Sequence, residues 1–446
     1  MKKARWMASD GLMPATRTRA GKPAPHKAQF ARKESLAGKP WQPEAGFRHK
    51  TEQMLRVFAF ALAVTCSSGS LARAHDAIDP ENFARAGQIH FYNNEYDEAF
   101  ENYQRAIALA PLNPRFHNYL ANGFLYKQLY LSGQLDANLY SASNEFAKAQ
   151  PIQADAALIQ SFQEELRRAR EIARQRLAKN PADLEATYAL ASSYAVEANY
   201  HFSVTRKFLA ALSNGKEARK YAEQARKLDP SFADVDVIFG VYEYAIGSIP
   251  GYIRWLSFLI GLHGDKQKGI LLLQNAMTRS KYSTTDAAVL LAVIYNREKQ
   301  YGYTRELLER LGKYYPRNHL IPMQIAQTYK RGNNTEKVLE IYLGMARKAE
   351  NGAPGFDRAP LDKVYYEVAS IYEKKGDADA ALAYYSRAGQ WNKAEEVVRA
   401  HCLLRRGEIY QRQQQTAKAR EMFEAAAKLN IPVTQRLANE RLKSLR

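Results

Sequence analysis

The chain has 446 residues, of which 46% are hydrophobic and 25% are charged, as is typical of a folded globular protein. The formal net charge is +19, of which residues 1–53 carry +8 and residues 75–446 carry +9. This charge would permit nucleic-acid binding, but no recognition motif or aromatic platform accompanies it, so we assign it mainly to solvated helix faces. Strong helix formers dominate and hairpin signals are missing, which predicts an all-α fold.

The start of the chain differs from the rest. Residues 1–53 are rich in Lys, Arg, Pro, Gly and Ala without helical periodicity, and we predict that they are disordered. Residues 54–74 have the three parts of a secretory signal peptide: the basic Arg56, the apolar run 57–66, and a small-residue cleavage site ending at Ala74. We therefore expect a periplasmic or secreted protein whose residues 1–53 are a gene-model artefact. A real basic tail before a short membrane anchor is the alternative.

A fixed spacing of small residues recurs along the remaining chain. A small residue is followed by a second after twelve residues, by a third small or apolar residue after seven more, and in some copies by proline. The clearest copies are Gly87, Ala99, Ala106 and Pro111; Ala292, Thr304, Leu311 and Pro316; Ala326, Val338 and Met345; Ala369, Ala381 and Ala388; and Gly407, Ala419 and Ala426. An aromatic residue follows the first small residue by three positions in four copies, at Tyr295, Tyr329, Tyr372 and Tyr410, whereas His90 takes this place in the first copy. An aromatic residue also follows the second position by four in four copies, at Tyr103, Tyr342, Tyr385 and Phe423.

The 34-residue step from Ala292 to Ala326 and this pattern resemble the tetratricopeptide repeat. The resemblance implies two antiparallel helices per copy, whose small residues allow close approach and whose aromatics fill the space beside them. One copy cannot bury its own apolar face, so copies stack. We predict a right-handed, all-α superhelix (α-solenoid) of about seven or eight helix-turn-helix units. Residues 75–235 would form an N-terminal array with long insertions, one of them at 200–215, and residues 281–446 a C-terminal array.

The segment 236–280 interrupts this pattern and is the most apolar part of the mature chain. Pro250-Gly251 divides it, and Asp265 is expected to cap the helix that follows. Its run of Gly240, Tyr242, Ile249-Pro250, Leu256, Gly261, Gly264-Asp265 and Gly269 resembles a segment of the tetratricopeptide-repeat domain 39 family and of bacterial envelope relatives, which are not enzymes. We expect an apolar helical hairpin in the solenoid core. The alternatives are an exposed docking patch of Tyr252, Trp255 and Phe258, or a transmembrane hairpin, which Glu243 and Arg254 disfavour.

Catalytic motifs are missing from the sequence. It contains no nucleophile elbow, no phosphate-binding glycine loop and no zinc-protease motif, and its histidines are scattered. Cys402 fits a small buried apolar residue better than a nucleophile or metal ligand. We therefore predict no enzymatic activity, no catalytic residues, no metal, no cofactor, no small-molecule substrate and no nucleic-acid partner.

The preferred hypothesis is an exported scaffold that binds other proteins or peptide segments in the groove lined by the first helices of the repeats. Tyrosine and arginine are favoured at binding hot spots, which guides the choice of groove residues. The candidates are Tyr295, Arg297, Gln327, Lys330, Tyr365, Glu367, Arg406 and Glu408. The alternative hypothesis is a membrane-peripheral protein of envelope assembly or lipid handling that docks through residues 249–262.

Overall fold

The computed structural model describes residues 79–137, 152–249 and 263–445, all within the unit Ile78–Arg446. In these ranges the regular structure is helical and no strand occurs, so the predicted all-α solenoid is confirmed. The predicted signal peptide at 54–74, the segment 1–53 and the predicted patch of Tyr252, Trp255 and Phe258 lie outside the described residues.

The described helices form eight successive antiparallel pairs and a final helix. The first four repeats pair α1 (Pro80–Tyr92) with α2 (Tyr96–Leu109), α3 (Pro114–Leu131) with α5 (Ala156–Lys179), α6 (Leu184–Tyr200) with α7 (Phe208–Leu228), and α8 (Val235–Gly247) with α9 (Lys266–Arg279); the short α4 (Gln134–Ala137) follows α3. The last four pair α10 (Thr284–Arg297) with α11 (Tyr301–Tyr314), α12 (Leu320–Arg331) with α13 (Thr335–Glu350), α14 (Leu361–Lys374) with α15 (Ala378–Gln390), and α16 (Glu396–Arg412) with α17 (Thr416–Lys428). Helix α18 (Pro432–Ser444) packs on the last repeat.

The small residues of the sequence pattern lie where the two helices of a repeat touch. A Cβ placed on Gly87 would lie 2.5 Å from Cε1 of Tyr103, and one placed on Gly407 would lie 2.5 Å from Cε1 of Phe423. The two rings, at 1% and 0% exposure, are fully buried. The aromatic residue therefore occupies the volume that a side chain on the first helix would need, which explains why the two positions occur together.

Adding a methyl group at Gly407 should therefore destabilise the last repeat. We expect Gly407→Ala to lower the free energy of unfolding by about 1–3 kcal/mol, the usual cost of overpacking a filled core. Gly344→Ala in α13 is the matched control, because a Cβ there meets no atom within 4 Å. It should be neutral or stabilising by up to about 1 kcal/mol through helix propensity alone. Urea unfolding followed by circular dichroism measures both, and equal effects would contradict the packing explanation.

Repeats 1, 5, 6, 7 and 8 share one tight turn between their two helices. Three residues form it, and the middle one has a left-handed backbone: Asn94, Lys299, Asn333, Gly376 and Gln414, with φ between 55° and 83°. The third residue donates its N–H to the carbonyl of the aromatic or histidine residue three positions after the small one, that is His90, Tyr295, Tyr329, Tyr372 and Tyr410. The same local geometry thus ends the first helix in five repeats.

Repeats 2, 3 and 4 have longer connections at the corresponding place. Residues 132–155 join α3 to α5, residues 201–207 join α6 to α7, and residues 248–265 join α8 to α9. In repeat 3 the chain continues from α6 into a π-helix (His201–Thr205), so the predicted insertion at 200–215 extends both helices. Because the first helices of stacked repeats run in the same direction, the ends of α3, α6 and α8, from which these connections start, lie on one edge of the array.

The segment 236–280 differs from the expectation of a separate hairpin. Helices α8 and α9 pack against each other as an ordinary repeat, and only residues 248–265 between them are inserted. Close packing depends on glycine here, since a Cβ on Gly269 would lie 2.7 Å from the carbonyl oxygen of Gly240. Asp265 caps α9 as expected, accepting hydrogen bonds from the N–H groups of Gln267 and Lys268. The apolar composition that set the segment apart therefore belongs largely to a tightly packed helix pair.

Candidate functional site

The first helices of repeats 1–3 are covered by loops of the later repeats. We call this contact the closure seam: Tyr92–Glu95, Arg115 and Tyr188 on one side, and residues 280–286 and 315–319 on the other. The Tyr92 hydroxyl donates to Asp286 at 2.6 Å, and the Tyr188 hydroxyl lies 2.8 Å from the Ser283 hydroxyl. The Arg115 guanidinium lies 4.1 Å from the centre of the Tyr282 ring. The groove in which a partner was expected is thus occupied, at this end, by the chain itself.

The turn of repeat 1 forms the densest part of the seam. Arg317 donates two hydrogen bonds to Glu95, at 2.6 and 2.7 Å, and its backbone N–H donates to Asn93 at 2.9 Å. Asn318 donates to the carbonyl of Tyr92 at 2.7 Å, and Arg358 donates to that of Asn94 at 2.9 Å. These contacts satisfy a turn that is otherwise costly to bury, because three consecutive polar residues, 93–95, are at most 7% exposed.

Burial and hydrogen bonding shift the pKa values of the ionisable groups in the seam in opposite directions. Burial disfavours the Glu95 carboxylate, but hydrogen bonds from Arg317 and His90 outweigh it and hold the pKa of Glu95 below its ordinary value. Burial lowers the pKa of His319 to about 4, so its ring is neutral at pH 7 and lies 3.0 Å, through Nδ1, from the carbonyl of Gly355. Burial raises the pKa of Asp286 to about 6, with a further contribution from the charge of Asp234, although the Tyr92 hydroxyl partly stabilises the carboxylate.

Asp234 fixes the loop that enters the seam. It lies just before α8 and is 1% exposed. Its carboxylate accepts hydrogen bonds from the backbone N–H groups of Lys281, Tyr282 and Ser283, at 2.8 to 2.9 Å, and from the Ser283 hydroxyl at 3.0 Å. One buried side chain of repeat 4 therefore determines the path of residues 281–283, which carry Tyr282 and Ser283 onto repeats 2 and 3.

The eight predicted groove residues have different positions in the structure. Tyr295 and Tyr365 are buried: the Tyr295 hydroxyl accepts a hydrogen bond from Gln274, and the Tyr365 hydroxyl donates one to Glu350. Gln327 donates to the hydroxyl of Tyr342 at 3.1 Å. Arg297 is exposed and Arg406 is half-buried. Both tyrosines and Gln327 thus contribute to packing between helices. The prediction that they bind a partner stays a prediction.

Lys330, Glu367 and Glu408 belong to a series of ion pairs across the first helices of repeats 6–8. Lys330 of α12 donates to Glu367 of α14, Arg405 and Arg412 of α16 both pair with Glu373 of α14, and Arg441 of α18 pairs with Glu408 of α16. We call these residues the first-helix ladder. Reasoning from the sequence did not identify Glu373, Arg405, Arg412 or Arg441. The available signal was the recurrence of opposite charges about one repeat length apart.

The side chains of the ladder divide by exposure. Lys330, Arg412 and Arg441 are 49%, 58% and 49% exposed, whereas Glu367, Glu373 and Glu408 are 11%, 8% and 14% exposed. The carboxylates lie beneath and the cations lie above them. The first-helix face of repeats 6–8 therefore presents positive charge to the solvent, and the buried acids hold those cations in place.

The described residues contain little that would support catalysis. In the ranges given above, no three His, Cys, Asp or Glu side chains lie together as metal ligands. Burial raises the pKa of the Cys402 thiol to about 12, so this sulfur is a poor nucleophile at pH 7. A cleft of about 290 Å³ lies between α5 and α6. None of the helices found in the described part of the chain is long and apolar enough to cross a membrane.

Comparison with known proteins agrees with the repeat pattern. Family models for the TPR repeat match residues 87–128, and models for the tetratricopeptide repeat match residues 362–394 and 401–430. These ranges overlap α1–α3, α14–α15 and α16–α17. A search of curated protein sequences gives no significant match. The resemblance of the central segment to the tetratricopeptide-repeat domain 39 family is outside these matches and stays a prediction.

Solved structures with a similar fold share little sequence with this chain. Yeast Tom70 is 15% identical, with 84% of this chain and 93% of that chain covered and a TM-score of 0.31. A thermophilic TPR protein of Thermus thermophilus is 16% identical, with 56% and 98% covered and a TM-score of 0.31. A tetratricopeptide repeat protein from Parabacteroides merdae is 14% identical, with 69% and 98% covered and a TM-score of 0.31. The spacing of small and aromatic residues, the helix pairs that it forms and the three family matches identify the chain as a tetratricopeptide-repeat protein.

Proposed function

We propose that this chain is an exported, non-catalytic scaffold that binds another protein through the first-helix face of repeats 6–8. Tetratricopeptide repeats generally bind other proteins or peptide segments. The observation that supports this location is the closure seam. Since loops 280–286 and 315–319 cover the first helices of repeats 1–3, an incoming segment would have to displace buried hydrogen bonds there.

The first-helix face of repeats 6–8 offers a different surface. Among the described residues, the ion pairs of Glu367, Glu373 and Glu408 connect neighbouring helices of the same array. Their cationic partners remain about half exposed, so an incoming carboxylate can bind them without breaking a buried contact. The partner that fits this face is an extended or helical segment with acidic side chains, and its affinity should fall as the salt concentration rises.

Removing two exposed cations should weaken partner binding and leave the fold intact. We expect Lys330→Gln combined with Arg412→Gln to reduce capture of the partner by roughly tenfold or more, since each lost charge contact at an interface is worth about 1 kcal/mol or more. The control is Lys313→Gln combined with Lys418→Gln, which removes the same charge from exposed sites on the second helices α11 and α17. Cross-linking of the tagged chain in its native host, followed by mass spectrometry, measures the capture. Equal capture by both variants would exclude this face.

The exported state is the part of the proposal that depends on residues 54–74. If these residues are a signal peptide, a chain expressed from Met54 in the native host is cleaved after Ala74, and the mature protein starts at His75. Mass spectrometry of the amino-terminal peptide tests this directly. Recovery of an uncleaved chain with cytosolic partners would exclude export, but it would leave the first-helix face of repeats 6–8 as the binding surface.

A further inference from the structure

Exposed apolar side chains gather on the edge where repeats 2 and 3 have long connections. Leu131, the last residue of α3, is 61% exposed. In the next repeat, Phe202, Phe208 and Leu209 are 43%, 41% and 84% exposed. Large apolar side chains exposed together on an otherwise well-packed protein usually mark a contact surface.

The connection between α6 and α7 presents these side chains as one ordered unit. Ser203 and Val204 are 5% and 2% exposed and anchor the π-helix to the repeat. Arg206 then takes a left-handed backbone, and the N–H of Lys207 returns to the carbonyl of His201 at 3.0 Å. The rings of Phe202 and Phe208 meet edge to face, with their centres 5.8 Å apart. We call Phe202, Lys207, Phe208 and Leu209 the apolar tip.

The segment that carries the apolar tip is rich in cations, and the nearest acidic side chains are at its ends, Glu197 at 4.0 Å from His201 and Glu217 after Lys216. Residues 201–216 contain Arg206, Lys207 and Lys216 and no aspartate or glutamate. Lys207 and Lys216 are exposed. Exposed apolar side chains with neighbouring exposed cations have the composition of segments that lie in the interface of a bilayer containing anionic lipids.

We propose that the apolar tip docks this protein on a membrane surface that contains anionic lipids. The tip stands at the end of a helix pair and is not part of a groove, so it suits a soft, flat surface better than a peptide. Phe208 and Leu209 would enter the headgroup region, and Lys207 would contact lipid phosphates. This inference is independent of the proposed protein-binding face, which lies on other repeats and carries its own test.

Vesicle binding by the full-length chain tests the proposal. We expect co-sedimentation with phosphatidylcholine vesicles that contain phosphatidylglycerol, and roughly tenfold weaker binding when phosphatidylglycerol is omitted. Phe208→Ser combined with Leu209→Ser should weaken binding to the anionic vesicles by roughly tenfold or more. The matched control is Leu109→Ser combined with Leu112→Ser, which changes two leucines that are 45% and 68% exposed at the opposite edge of the array. All variants retain residues 57–66, so any contribution of that apolar run is the same in each.

A charge variant separates the electrostatic contribution to membrane binding from the apolar contribution. Lys207→Glu combined with Lys216→Glu should reduce binding to the anionic vesicles and weaken its salt dependence, while the weak binding to neutral vesicles is preserved. Failure of the wild-type chain to bind anionic vesicles, or equal binding by the serine variant and its control, overturns the proposal. Loss of a captured protein in the serine variant without vesicle binding also overturns it and assigns the tip to a protein partner. The variant Lys330→Gln combined with Arg412→Gln changes the first-helix face of repeats 6–8, so its capture of a partner does not test the apolar tip.

Discussion

Asp234→Ala is expected to lower the free energy of unfolding by about 3–5 kcal/mol, because it leaves several buried hydrogen-bond donors without an acceptor. The substitution leaves three backbone N–H groups, those of Lys281, Tyr282 and Ser283, without the acceptor that they have in the native loop. Each unsatisfied buried donor costs about 1–3 kcal/mol, and relaxation of the loop toward water recovers part of the sum. Urea unfolding followed by circular dichroism gives the value.

Two further variants distinguish the contribution of loop 281–283 to stability from the loss of a short-range hydrogen bond. Asp234→Asn keeps an acceptor oxygen for Tyr282 and Ser283 but places an NH₂ group against the N–H of Lys281, so an intermediate loss is expected. Asp229→Ala removes a carboxylate whose hydrogen bonds run to nearby residues of the same turn, Ser231 and the backbone of Phe232, and should cost about 1 kcal/mol. A loss at Asp234 no larger than that at Asp229 would show that the loop 281–283 contributes little to stability.

At neutral pH, Asp286→Asn is expected to raise the free energy of unfolding, whereas in acid the variant and the wild-type chain should be equally stable. The pKa of Asp286 is raised from 3.8 to about 6, chiefly by burial, so the folded state disfavours the ionised carboxylate. Because the folded state binds this proton more tightly than the unfolded state does, protonation of Asp286 makes its full contribution to stability below pH 3.8. That contribution is lost as the pH rises from 3.8 to about 6. Two pKa units correspond to about 3 kcal/mol, and because part of the side chain remains accessible we expect a gain of about 2 kcal/mol at pH 7.5.

The pH dependence of this difference is the informative measurement. Asparagine can still accept the hydrogen bond from the Tyr92 hydroxyl, so the wild-type chain and the variant should be equally stable below pH 3.8, diverge as the pH rises from 3.8 to about 6, and keep a constant difference at higher pH. Comparing the two chains cancels groups that titrate in both, such as His319, whose lowered pKa acts in the opposite direction. A difference that is constant between pH 4 and pH 7.5 would show that the ionised carboxylate carries no cost in the seam.

Local spacing was sufficient to predict the repeats. The distance from Gly87 to Tyr103 is set by one helix, a three-residue turn and part of a second helix, so the sequence contains all the information needed to pair them. The same holds for Gly407 and Phe423. The central segment was harder to interpret, because composition separated it from its neighbours while Gly240 and Gly269 pack it as a repeat.

The candidate site depended on contacts that no local pattern contains. Tyr92 meets Asp286 across 194 positions and Arg317 meets Glu95 across 222, and neither distance follows from a repeat length. Sequence reasoning therefore assumed a continuous open groove. It also placed Tyr295 and Tyr365 in that groove because tyrosine is common at interfaces, whereas burial against neighbouring helices accounts for both. Lys330 and Glu367 were chosen as groove residues, and the structure pairs them with each other across adjacent first helices, a contact that the sequence reasoning did not predict.

The closure seam also limits how this protein can evolve. An open solenoid gains or loses repeats by duplication and deletion, because each repeat contacts only the next one. Here repeat 1 must meet the loops before α10 and α12, so the number of repeats between them has to remain fixed. Deleting one unit from that interval would shift Arg317 away from Glu95 by the length of a repeat. Arg358, in the loop before α14, also reaches repeat 1, so variation in repeat number among related chains that keep these contacts should be confined to the array after α14.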